Sequence, residues 1–173
     1  MSGVHGQPGG PAFDIVLLLH VGCAVVGLAA MATSAATAAR LRRLLGAGTG
    51  AELPDAVVRY FRPGVNWVGR SIYGIPVFGF ALLAMSRGAY AATDGWVLAG
   101  LAVFVVVALL GEGILWPAER RLQVSVAAAP GGGTEAATGP TLPPAHQAQL
   151  VVWSATASIV LLVVGTVLMV AQP

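Results

Sequence analysis

Three side-chain types that bind soft metals lie on one stripe of the first hydrophobic stretch. In DIVLLLHVGCAVVGLAAM, residues 14 to 31, His20, Cys23, Gly27 and Met31 follow i, i+3, i+7, i+11, which is a single face of a helix. Imidazole, thiolate and thioether all ligate soft metals such as copper, and imidazole is also an axial ligand of haem. Met85 and Met169 fall near the same end of their own hydrophobic stretches. One of them is the expected second ligand if His20 holds a haem iron, with an open site or a second chain as alternatives, and His20, Cys23 and Met31 form the set for a metal ion. The competing expectation is a neutral His20 hydrogen-bonded to a neighbouring helix, with Cys23 as a small buried apolar residue. His146 belongs to the opposite end of its stretch, so a bis-histidine site within one chain is not expected.

Two further ionisable residues interrupt apolar sequence, Arg70 and Glu112. Counted at the helical rise, Arg70 lies about 10 Å beyond Pro63 and Glu112 about 12 Å before Arg120. The two segments run in opposite directions, so the two charges reach a similar depth. They are expected to form an ion pair clipping the segments together, each offsetting part of the other's desolvation. Alternatives are a proton or anion path, or an Arg70 that snorkels to the membrane interface. Nucleophilic catalysis has no support: there is no serine–histidine–acid set at one depth, no CxxC, no HExxH and no phosphate-binding glycine loop. No catalytic residue is expected.

The elements that carry these residues are membrane spans. Of the 173 residues 57% are hydrophobic and 9% are charged, against about 25% charged in soluble domains. Such a chain cannot cover a water-facing surface, so its main partner is a lipid bilayer. Four segments approach or exceed the roughly 20 apolar residues that cross a bilayer as helix: about 13–39, 64–86, 95–117 and 149–171. The fold expected is all-α, a polytopic membrane protein forming a four-transmembrane-helix bundle. A flexible tail covers 1–12, three spans with short loops 13–127, a disordered Gly-, Pro- and Ala-rich loop 128–146, and the fourth span 147–173. Tyr60, Trp67, Tyr90, Trp96, Trp116 and Trp153 fall near span ends, as interfacial aromatics do.

All nine basic residues are arginine. They gather beside the spans, in RLRRLL, in VVRYFRPG and in ERRLQ, which suits membrane topology and argues against nucleic-acid binding. No basic residue precedes the first span, so it does not read as a secretory signal. The positive-inside rule puts the first and third loops in the cytoplasm and both termini outside. With abundant Ala, Gly and Val, the expected location is a bacterial cytoplasmic (inner) membrane. The loop AGTGAELPDAVVRYFRPG is expected to hold a short interfacial helix, and Pro76 is expected to kink the second span. Small residues at Ala30, Ser34 and Ala38 recur every four positions and predict close helix packing of the first span. The lone Cys23 excludes an intrachain disulfide.

LLLHVGCAVVGLAA leading to ARLRRLL, the third-span ending ILWPAERRLQ and the terminal VLMVAQP resemble the DUF2269 group of four-span bacterial membrane proteins. That group is similar to a wider CopD/HemJ-like set, which includes copper-resistance and haem-binding protoporphyrinogen oxidase proteins. The resemblance spans nearly the whole chain and implies a four-helix bundle with a first-span histidine, His20, at the position that binds haem in the HemJ-like relatives. Those relatives also use a lysine in a later span, and this chain has no lysine. The function expected is a small haem- or metal-linked accessory membrane protein. The alternatives are a structural subunit or assembly partner of a larger membrane complex, or, as a homo-oligomer, a transporter.

Overall fold

The computed structural model describes residues 10–47, 53–128 and 143–171, and every element among them is helical. Helix α1 runs Pro11–Gly46, with Pro11 at its first position, Asp14 in its first turn and Arg43 in its last. A fixed φ at the start and charges matched to the helix dipole suit both ends. Its buried residues are Gly27, Met31, Ser34, Ala38 and Leu41, spaced 4-3-4-3. That spacing is one seam, and its small members let neighbours come close.

A six-residue helix, α2 (Asp55–Tyr60), follows Pro54. It turns Val57 and, just beyond its end, Phe61 into the core, both 1% exposed, while Val58 stays outside. The short helix expected in this loop is present. Pro63 and Gly64 then keep the chain irregular until Asn66, whose Oδ1 accepts the Gly69 N–H at 2.9 Å. A 3-10 turn, Gly69–Tyr73, begins there and passes into α3, Gly74–Met85. The second apolar helix therefore starts at Gly69 rather than Gly64, and Pro76 lies in the first turn of α3, just past the change in winding. A proline there removes an N–H that the Ile72 carbonyl would otherwise receive.

Helix α4 (Gly95–Leu110), a π-helical turn (Gly111–Leu115) and α5 (Trp116–Ala127) form one continuous run. In the π turn the Trp116 N–H reaches back five residues to the Gly111 carbonyl. Pro117, unable to donate to Gly113, accounts for widening at this point. Helix α6, Pro144–Val170, completes the chain. Most of the Gly-, Pro- and Ala-rich loop, 129–142, and the tail before Gly10, with His5, lie outside the described residues.

Among the described residues three helices are long and apolar enough to cross a membrane, α1, the α4–α5 run and α6, and Gly69–Met85 is a shorter apolar helix. The chain is thus a helical bundle of multi-pass membrane character. α1 and α6 pack along each other, α3 on α1, and α4 on α6, while α3 and α4 scarcely meet. The core lies at the arginine-rich end, where Phe61, Leu41, Leu115, Trp116 and Leu122 close around α1 and α6.

Candidate functional site

The face of α1 that carries His20, Cys23 and Gly27 packs onto the second apolar helix. The His20 ring lies over Gly79, Cys23 against Gly74, and Ile72 against Gly27, each pairing a side chain with a glycine. His20 Nδ1 is 2.8 Å from the Ile75 carbonyl oxygen. A carbonyl only accepts, so Nδ1 carries a proton, and in the neutral ring the lone pair is then on Nε2. This is the helix-to-helix hydrogen bond that one reading of the sequence anticipated. The other proposed ligands lie elsewhere. Met31 is buried in the core, eleven residues or about 16 Å along α1 from His20. Met85 lies about 9 Å further along α3 than Gly79, and Met169 packs on Gly100 of α4. Among the described residues no three His, Cys, Asp or Glu side chains converge.

Arg70 and Glu112 do meet, Nη2 to Oε2 at 3.8 Å. Tyr73 Oη donates to the other oxygen, Oε1, at 2.8 Å. The pair is a single long contact with side chains 25% and 55% exposed, so it is a half-exposed clip rather than a buried one.

The most enclosed acid among the described residues is Glu119, at 4% exposure. In the sequence it stands only as part of the charged flank ERRLQ. A regular helix sets residues seven apart on nearly one face, yet Glu112 faces outward and Glu119 inward. The π turn between them supplies the rotation. Three elements deliver donors to Glu119 Oε1: Asn66 Nδ2 at 3.2 Å, Tyr60 Oη at 3.3 Å and Ser34 Oγ at 3.4 Å. Ser34 Oγ and Tyr60 Oη also hydrogen-bond each other. Asn66 is fixed by its cap on Gly69, and Tyr60 by an edge-to-face contact with Phe61, ring centroids 5.2 Å apart. Oε2 takes no hydrogen bond from the described residues, and the carboxyl lines a cleft of about 10 Å³, room for about one water. Arg70, Arg120, Gln123 and the edge of Trp116 complete the cleft wall. Gln123 Nε2 ties its rim to the Gly64 carbonyl at 3.2 Å.

Trp116 itself is not interfacial. It is 4% exposed and stacked between Gly69 and Gly111, where an added methyl at Gly69 would come within 2.8 Å of the ring. Tyr60 is likewise turned inward, and its phenol is pushed up to about 12, by burial first and by the nearby Glu119 carboxylate second.

Ser34, Tyr60 and Glu119 Oε1 make a triangle of oxygen–oxygen contacts. Two hydroxyls bring two hydrogens to three contacts. With an ionised carboxylate, one hydroxyl donates to the other, the second donates to Glu119, and one edge is left without a hydrogen. A protonated carboxyl supplies the third. The arrangement has a place for one exchangeable proton, beside a water-sized opening flanked by two arginines. Compared with protein-family models, curated proteins and solved structures, the chain finds no match.

Proposed function

We propose that this chain is a four-span accessory protein of a bacterial inner membrane, with both termini outside, whose working group is Glu119. Glu119 binds and releases a proton through the cleft on the arginine-rich, cytoplasmic side. The hydrogen count of the Ser34–Tyr60–Glu119 triangle carries this reading: three contacts, two hydroxyl hydrogens, and one opening through which a third hydrogen can come and go. Buried ionisable groups in membrane bundles are costly and mark proton and ion relays. Asn66 and whichever of the two hydroxyls donates to the carboxylate offset part of that cost. A hydrophobic carbodiimide, which adds to protonated carboxyls, tests the reading. Peptide mapping should find Glu119 modified, with a yield that falls as pH rises, and Glu119→Gln protein should lack that label. Labelling that bypasses Glu119 or ignores pH would refute it.

A second reading has its own observation. Metal-bound histidines generally donate their other ring N–H to a carbonyl or carboxylate, which fixes the tautomer. The Ile75 carbonyl does this for His20 and leaves Nε2 to ligate haem iron or copper. Such a site would draw its remaining ligands from outside the described residues, since Met85 and Met169 pack elsewhere. It also follows the resemblance of the first span. A Soret band in protein expressed with ample haem, lost in His20→Ala, supports it. Absence of that band and of bound copper in the wild type removes it.

A further inference from the structure

The two halves of the bundle leave one side open. α3 has no buried residue, packs on α1 alone among the long helices, and diverges from α4. Near the arginine-rich end the halves are joined by Glu112's contacts to Arg70 and Tyr73 and by an edge-to-face contact of Tyr73 with Phe104, centroids 6.1 Å apart. Along α4 beside this seam runs a second 4-3-4-3 series: Leu98, Ala102, Val105, Leu109 and Glu112. It has the same spacing as the buried seam of α1, but every member is exposed, Leu109 at 68% and Leu98 at 52%.

An apolar stripe facing lipid needs no partner, because lipid tails solvate it as well as another helix does. Its last member is what lipid does not solvate. Glu112 is 55% exposed, four residues or about 6 Å inward of Trp116. Its only countercharge among the described residues, Arg70, stands 3.8 Å away and is itself 25% exposed. Next to it Gly113 presents bare backbone, with open space where a side chain would stand. The face therefore offers one negative group, one positive group beside it, an apolar seam at coiled-coil spacing, and a glycine that permits close approach.

Such a face is complementary to itself. Two copies related by a two-fold axis along the membrane normal would bring α4 beside α4, parallel and at one depth. Each Glu112 would then find the other copy's Arg70 while keeping its own, and each half-exposed charge would leave the lipid. In a two-fold interface the same patch serves both sides, and Leu98, Ala102, Val105 and Leu109 would mesh as a and d residues do.

We infer that the exposed seam from Leu98 on α4 to Glu112 in the π turn is the surface on which a second copy of this chain docks, with each Glu112 shared between its own Arg70 and that of the second copy. Cys23 is the only cysteine, so Cys23→Ser gives a clean background for single cysteines in liposomes. Leu109→Cys should form a disulfide-linked dimer on mild oxidation, while Val160→Cys, 56% exposed on α6, should stay monomeric. Glu112→Gln should lower the Leu109 cross-linking yield at high lipid dilution by about tenfold, the lower end of coupling between close interfacial charges. Arg70→Glu should lower it as well, and Arg70→Glu with Glu112→Arg should restore it. Fluorescence transfer between labelled copies of wild-type protein, falling with lipid dilution, gives the same reading without a cysteine on the seam. Equal cross-linking at positions 109 and 160, or monomers throughout with no transfer, overturns the inference. So does cross-linking at 109 that is indifferent to both charge substitutions.

Discussion

Glu119→Ala probes the polar triangle directly, and its cost follows from what the carboxyl now holds. Removing it leaves Ser34 and Tyr60 bonded to each other, with one hydroxyl hydrogen aimed at nothing. Asn66 loses its acceptor too, but it borders the cleft and can turn to water. One orphaned buried donor costs about 1–3 kcal/mol. The lost methylene of the buried stem adds about 0.8 kcal/mol. The sum is roughly 2–4 kcal/mol. Glu119→Gln keeps the stem and one acceptor oxygen and should cost about 1 kcal/mol or less. Tyr60→Phe should cost about 1 kcal/mol, because Ser34 can then donate to Glu119 directly. Denaturant unfolding in one detergent at neutral pH ranks the three variants. An alanine variant more stable than wild type would mean that Glu119 is an uncompensated buried anion, and the triangle would be misread. An alanine variant equal to the glutamine variant would mean that the hydrogen bonds contribute nothing.

Tyr60 also sets an alkaline limit. Its folded value, about 12, lies above the ordinary 10.0, so the folded state holds a proton that the unfolded chain gives up between the two. The stability Tyr60 contributes is complete below about pH 10 and is lost as pH rises toward 12; unfolding curves at alkaline pH should show this fall, and Tyr60→Phe should remove it. Gly27→Ala should cost about 1–3 kcal/mol by pressing a methyl onto Ile72. Adding Ile72→Leu, which deletes the γ2 branch that is struck, should recover part of the loss; a neutral Gly27→Ala would deny the close approach of α1 to the 3-10 turn. In monomeric, detergent-diluted protein the double-mutant cycle of Arg70→Ala and Glu112→Ala should show coupling of about 1 kcal/mol or less, as for exposed pairs. Coupling of several kcal/mol would show that the clip is buried.

The helices were legible because lipid imposes one demand, a long apolar run, and four such runs stand out between arginine-rich flanks. The small-residue face of α1 was legible for a similar reason, since its spacing is a property of the helix alone, and Ser34 and Ala38 are indeed buried. The start of the second apolar helix was not: hydropathy continues across Gly64 to Val68, while Pro63 and the Asn66 cap delay helical winding until Gly69. Arg70 and Glu112 were paired from depth, which counting residues gives. Their exposure was out of reach, because it depends on α3 and α4 diverging. Glu119 was hidden for two reasons. In ERRLQ it stands among charges that belong to solvent, and helical periodicity puts it on the face of Glu112. Only the π turn, which Pro117 accounts for, rotates it inward. Its donors come from three separate elements, a serine inside an alanine-rich seam, a tyrosine placed like an interfacial aromatic, and an asparagine between tryptophan and proline–glycine. No spacing in the sequence ties them together. Trp116 stands near a span end in the sequence yet packs inward, because the glycines that receive it, Gly69 and Gly111, are forty-odd residues apart.

A Glu119 that exchanges its proton while the bundle stays folded must change its infrared absorption with pH. Infrared difference spectra of liposome-reconstituted protein, taken across a pH titration, read that proton directly through the C=O stretch of a protonated carboxyl. The wild type should show such a band that vanishes reversibly as pH rises and shifts when the solvent is exchanged for heavy water. The same band should be missing from Glu119→Gln and displaced in Tyr60→Phe, where the triangle loses one oxygen. Wild-type and Glu119→Gln spectra that superimpose at every pH would contradict this exchange and leave Glu119 as an inert fastening between α1, α2 and α5.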